Sequence, residues 1–201
     1  VRRWSTVRLG NGRSGAEIAR AILEREGIFN VRVEKVGGFL SDHYDPRGRV
    51  LRLSPEVYDG RTVAAAGVAA HEVGHAIQHA RRYWPLQVRS YLAPAASFGS
   101  NVAIYIVMAG AFTGALGLAK VGVLLFAVGT VFTLVTVPVE LDASARAKRL
   151  LPELGLTGGD EGRGVASVLN AAALTYVAAA VGSIMFLLYW AMRLGLFRGD
   201  D

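Results

Sequence analysis

Two histidines four residues apart bracket a glutamate in His71-Glu72-Val73-Gly74-His75. On a helix, four residues advance about 400°, so both imidazoles leave the same face one turn apart. Neutral ring nitrogens at that spacing can reach one zinc ion at about 2.0–2.1 Å each. Zinc lowers the pKa of a ligated water toward about 7. Glu72, next to the first ligand, is placed to take that proton and hand it to a leaving amine. The five-residue pattern is short, but its neighbours Ala69, Ala70, Gly74 and Ala76 are small and leave room around a metal. His79 stands four residues beyond His75, whereas the three-histidine protease pattern sets its last ligand six residues on, after a glycine bend. Continuous helix carries His79 away from a common centre, so a place at the helix end is expected for it.

A catalytic zinc takes a third protein ligand and keeps one position open. His43 lies far upstream in a turn-rich segment. Glu140 is the better candidate, because it ends the second of two uncharged stretches. A hairpin of two membrane spans returns the chain there to the side it left after the His71–His75 helix. Pro138 suits the first turn of a new helix or a kink, and Ala143 and Ala147 keep one helix face small. The plainer reading of Glu140 is a carboxylate at a span end or helix N-terminus, favoured by the helix dipole. Asp142, two residues on, points to roughly the other side of a helix, while Ser144 shares the Glu140 face. Either could accept or donate a hydrogen bond to a metal ligand.

The elements that position these residues follow from the distribution of charge. Of 201 residues 52% are apolar and only 19% charged, against about 25% charged in an average soluble domain. The shortfall is local: residues 90–119, 121–139 and 164–192 contain no Asp, Glu, Lys or Arg. Crossing the hydrocarbon core takes about 20 helical residues, so each stretch is long enough to be a span. A purely soluble chain and a disordered one are both excluded. The absence of cysteine excludes disulfides and thiolate chemistry. The net charge of +6 accompanies no nucleic-acid-binding motif and is explained by basic residues flanking the spans. Arg81, Arg82, Arg89, Arg146, Lys148, Arg149 and Arg163 lie on one side, and only Lys120, Arg193 and Arg198 on the other. The positive-inside rule then puts the soluble part in the cytoplasm.

Within that part, Ser14-Gly15-Ala16-Glu17 has the capping-box spacing. Ile18, Ile22 and Leu23 follow at helical intervals, and Gly27 supplies the stop. Residues 31–34 alternate as a half-buried strand does, Asp45-Pro46-Arg47-Gly48 is a turn signal, and Val50–Leu53 is a second strand. Ser54-Pro55-Glu56 opens a short helix, and the metal helix runs from about residue 62 to about residue 82. The first span, within 92–119, carries Gly110 and Gly114 at the spacing that lets helices approach closely. It ends either at Lys120 or several residues earlier, near Gly114. The third holds Asn170 and Thr175, whose commoner role is hydrogen bonding between helices.

The runs Ser41-Asp42-His43-Tyr44-Asp45-Pro46, Val68-Ala69-Ala70-His71-Glu72-Val73-Gly74-His75-Ala76-Ile77-Gln78-His79, Pro138-Val139-Glu140-Leu141-Asp142-Ala143-Ser144 and Leu169-Asn170-Ala171-Ala172-Ala173-Leu174-Thr175-Tyr176-Val177 together resemble the YugP-like family of bacterial membrane zinc metallopeptidases. The resemblance covers nearly the whole chain. It implies a zinc-dependent peptidase with His71 and His75 as ligands and Glu72 as catalytic base. Glu140 is similar to the first residue of the Glu-x-x-Ala-Asp element of HtpX-type membrane proteases, although Asp142 and Ser144 replace the rest of that order. Family members usually begin with one more apolar segment, and Val1 in place of a methionine fits its being missing here. In zinc peptidases of this build a strand beside the metal helix pairs with extended substrate. Val50–Leu53 is either that strand or an ordinary packed one. Asp42, His43, Tyr44 and Asp45 serve substrate and oxyanion contacts or simply the turn.

The sequence thus reads as an α+β membrane protein. A small cytoplasmic zincin-like unit with the HExxH helix occupies 1–89, a transmembrane hairpin 90–139, a cytoplasmic segment with the third-ligand candidate 140–163, a third transmembrane helix 164–193, and a tail 194–201. The expected function is a zinc-dependent endopeptidase acting on membrane or membrane-proximal proteins, with zinc as cofactor, polypeptide substrates and lipid as partners, and no nucleic acid. A non-catalytic zinc-binding scaffold, or a zinc hydrolase of a small amide or lipid headgroup, satisfies the same spacing.

Overall fold

The computed structural model describes residues 3–38 and 41–195, without the side chains of residues 97–101. The tail residues 196–201, Arg198 among them, lie outside the described residues. The chain divides into two compact units, one formed by Val1–Tyr83 with Val139–Leu174, the other by Trp84–Pro138 with Thr175–Asp201.

In the first unit α1 (Gly15–Arg25) carries the expected capping box: Ser14 Oγ accepts from the Glu17 amide, and Glu17 accepts from the Ser14 amide. Gly27, at φ +71°, ends it in the left-handed conformation that glycine adopts without steric cost. Strands β1 (Arg32–Lys35), β2 (His43–Asp45) and β3 (Val50–Leu53) form one sheet in the order β1-β3-β2. β1 pairs parallel to β3 with Val33 opposite Leu51, and β2 pairs antiparallel to it with Tyr44 opposite Leu51. The Asp45-Pro46-Arg47-Gly48 turn joins β2 to β3, with Asp45 Oδ1 accepting from the Arg47 and Gly48 amides. Those amide bonds, the Gly48 one foremost, and the Arg52 guanidinium hold the Asp45 carboxyl below its ordinary range.

The sheet corrects the substrate-strand reading of Val50–Leu53. β3 is the central strand with both edges paired, so no peptide can add to it. Of the two edge strands among the described residues, β2 is the one bonded to the helix that carries His79, through the Tyr44 hydroxyl. It is a segment whose three residues gave no alternating signal of their own.

The short α2 (Pro55–Tyr58) follows Ser54, whose hydroxyl makes no capping bond. Ser54 is instead buried, and its amide and hydroxyl both donate to Asp42. Then comes α3 (Val63–Ala80), capped by Thr62 through a bond from the Ala65 amide. The core of this unit gathers Ile18 and Ile22 of α1, Leu51 and Leu53 of β3, and Val73 and Ile77 of α3. It also takes in Ala147, Leu150 and Leu151 of α5 (Leu116–Glu153) and Val165 and Leu169 of α6 (Gly159–Arg193). Fully burying each large aliphatic side chain contributes about 1.5–3 kcal/mol. The stretch 164–192 is therefore not all span: its first turns belong to a protein core. Asn170, in that same part, accepts a bond from Lys148 at 3.0 Å and ties α6 to α5.

In the second unit α4 (Trp84–Thr113) meets the start of α5 closely. A Cβ on Gly110 would fall 2.4 Å from the Ala119 nitrogen, and one on Gly122 would fall 2.6 Å from the Val107 nitrogen. Gly110 thus packs as expected, but Gly114 does not; at φ +71°, with open space around it, it makes the turn itself. The first apolar stretch ends there, and Lys120 lies inside α5.

α5 and α6 are long and apolar enough to cross a membrane, by length and composition. Their most apolar windows are only 28% and 11% buried, respectively, within the protein, unlike the core helix of a soluble protein. α5, with 38 residues, is about 57 Å long, nearly twice the roughly 30 Å of a hydrocarbon core. It runs unbroken through Pro138, so no new helix begins there.

Candidate metal centre

The approach of α3 to α5 builds the site. A Cβ on Gly74 would lie 2.7 Å from the Ala143 carbonyl oxygen and 3.0 Å from its Cα. Glycine is therefore what allows the two backbones to touch, with Ala143 and Ala147 supplying the small opposing face expected of them. Gly74→Ala gains about 1 kcal/mol of helix propensity, but overpacking against a backbone that cannot swing aside costs about 1–3 kcal/mol. The expected outcome is a lower unfolding midpoint and weaker zinc binding, measured by thermal denaturation and metal titration.

Across this contact α3 presents His71 and His75, their ring centroids 4.8 Å apart and edge to face. From α5 Glu140 reaches both: Oε2 is 3.2 Å from His71 Nε2, and Oε1 is 3.7 Å from His75 Nε2. The three ligand atoms lie within 4.8 Å of one another. Ligand atoms around a tetrahedral ion at about 2.0–2.1 Å stand about 3.3–3.4 Å apart, close to the two Glu140 contacts of 3.2 and 3.7 Å. The donor set, two imidazoles and one carboxylate, is that of a catalytic zinc with one position left open. Glu140 is only 3% exposed, and a carboxylate so deeply buried calls for a cation beside it. Burial likewise pulls the His75 imidazole below its usual range, against the nearby Glu72 carboxylate and despite Glu140. The ring is thereby kept in the neutral form that ligates metal.

Both imidazoles are held from behind. His71 Nδ1 lies 3.1 Å from Ser144 Oγ, and His75 Nδ1 lies 3.0 Å from Gln78 Oε1. Gln78 Nε2 donates to the Val139 carbonyl and to Asp142, both at 2.8 Å. Asp142 in turn accepts from Arg146 Nε at 2.6 Å, whose guanidinium lies 6.0 Å from the Tyr83 ring centre. Ser144 and Asp142 therefore stand behind different histidines, one directly and one through Gln78. Gln78 carried no role in the sequence reading. The available signal was a glutamine three residues after His75, directly following Ala76 and Ile77.

The remaining candidates fall elsewhere. His79 is at the last turn of α3, where its Nδ1 is 2.8 Å from the Tyr44 hydroxyl, fastening β2 to the helix. His43 is on exposed β2, bonded to the Ser41 carbonyl. Neither joins the group of His71, His75 and Glu140. Glu72 is partly exposed on α3, one residue from His71.

This chemistry is that of a zinc peptidase, and the chain belongs to such a family. Residues 1–195 match the family described as "Putative neutral zinc metallopeptidase", and zinc is its metal. Among curated proteins it is similar to "Putative membrane protease YugP" of Bacillus subtilis (strain 168), with 47% identity over 190 residues, covering 94% of this chain and 84% of that protein. No solved structure matches.

Proposed function

We propose that this chain is a membrane-embedded zinc endopeptidase that cleaves membrane or membrane-proximal polypeptides at the cytoplasmic surface. The observation that carries this reading is Glu140, buried on α5 between His71 and His75 of α3. In this reading His71, His75 and Glu140 hold zinc, which when bound supplies Lewis acidity toward a carbonyl and a water. Glu72 accepts the proton of the attacking water and delivers it to the leaving nitrogen. The open edge of β2, fastened to α3 by Tyr44 and His79, takes the extended substrate as an added strand. The 84–113 helix, α5 and α6 are the three spans, and the basic residues near their ends favour a cytoplasmic site. A reporter fused after Arg198 should then read outside the cytoplasm, and a cytoplasmic signal there would reverse the orientation.

Metal removal tests the activity directly. Chelator treatment of the purified protein in detergent should abolish cleavage of an unstructured protein substrate, and added zinc should restore it. Zinc binding without any cleavage of polypeptides would favour the scaffold. Cleavage confined to small amides or lipid headgroups would favour the other hydrolase.

A further inference from the structure

We propose that Gln78 is a positioning residue for the metal site, fixing which nitrogen of His75 carries the proton. This rests on the reading of His75 as a zinc ligand through Nε2. The amide of Gln78 is completely buried, and both hydrogens of its Nε2 are engaged, by the Val139 carbonyl and by Asp142. Both partners accept these hydrogens, and the Val139 carbonyl has no hydrogen to give in return. Turning the amide over would set its oxygen against two other oxygens, so its orientation is determined. Oε1 then faces His75 Nδ1 at 3.0 Å and can only accept.

Nδ1 must therefore carry the hydrogen, and in a neutral imidazole that leaves Nε2 bare. Nε2 is the atom turned toward Glu140, 3.7 Å from Oε1. Arg146 donates to Asp142 through Nε and Nη2, and the bonds run from Arg146 through Asp142 and Gln78 to His75. His71 differs. Its Nδ1 faces the Ser144 hydroxyl, which can donate or accept and dictates no tautomer.

The test uses the full chain in detergent, labelled with ¹⁵N-histidine and free of metal at neutral pH. His75, assigned by its loss in His75→Gln, should show a protonated Nδ1 and a bare Nε2. In Gln78→Leu, similar in volume but without the amide, the ring should populate both tautomers. Zinc affinity, read by competition with a chromogenic chelator, should fall about 10–100-fold, as for other partners of metal ligands. Asp142→Asn and Asp142→Ala both leave the Val139 carbonyl to orient the Gln78 amide and should keep the wild-type tautomer. Gln78→Met, which also lacks the amide, decides the matter if Gln78→Leu does not fold. An unchanged tautomer and unchanged zinc affinity in Gln78→Leu, or in Gln78→Met, overturns the proposal while leaving His75 as a ligand. Unweakened zinc binding in His75→Gln instead overturns the ligand reading and the proposal with it.

Discussion

Glu72→Gln should bind zinc as the wild-type chain does and cleave nothing measurable. The substitution keeps the shape of the side chain and removes its ability to accept a proton. A positioned general base contributes about 10²–10⁴-fold in rate, so the loss should be at least that large. Glu72 is not among the three residues whose ligand atoms converge, so metal content should be unaffected. Metal analysis together with a cleavage assay on the same preparation measures both halves of the expectation. Proteolysis retained in this variant would sink the assignment of Glu72, whereas zinc lost along with activity would make Glu72 a ligand.

Removing Glu140 should have the converse signature. In Glu140→Ala and in the isosteric Glu140→Gln, zinc affinity should fall by more than the roughly 10–100-fold that loss of an outer hydrogen-bonding partner costs. In the proposed reading a direct ligand is removed, and the two imidazoles are left to hold the ion alone. The pair of variants separates chemistry from packing, since Gln fills the same buried space. Zinc titration with circular dichroism as a check on folding measures the effect. Full zinc affinity in both variants would show that the buried carboxylate serves the helix and not the metal.

These two residues also show how differently the site was legible. His71, Glu72 and His75 lie within one helical segment, so their mutual geometry is a local property of α-helical spacing. The capping box and stop that bound α1 are equally local, as Ser14 with Glu17 and Gly27 show. Glu140 could be suggested only by counting spans and asking where the chain returns. Its convergence on His71 and His75 depends on Gly74 meeting Ala143, a contact between residues far apart in sequence. β2 escaped notice because a three-residue strand carries little periodicity, and Val50–Leu53 looked like an edge when it is the centre. Sheet order is a matter of pairing, which no single strand records.

The shortage of charge has the same divided character. Composition identified 90–119, 121–139 and 164–192 as segments that avoid water, but burial in a core and exposure to lipid select the same apolar residues. Only the tertiary structure separates them. Val165 and Leu169 pack into the first unit, while Val181 and Met185 of the same helix stay exposed. The sequence by itself determined the shared face of His71 and His75 and the apolar segments, because helical spacing and hydropathy are properties of neighbouring residues. The approach of Glu140 to the two histidines, the outer partners Gln78, Asp142 and Ser144, and the division between core and apolar surface were decided by packing, which brings together residues that share no local pattern.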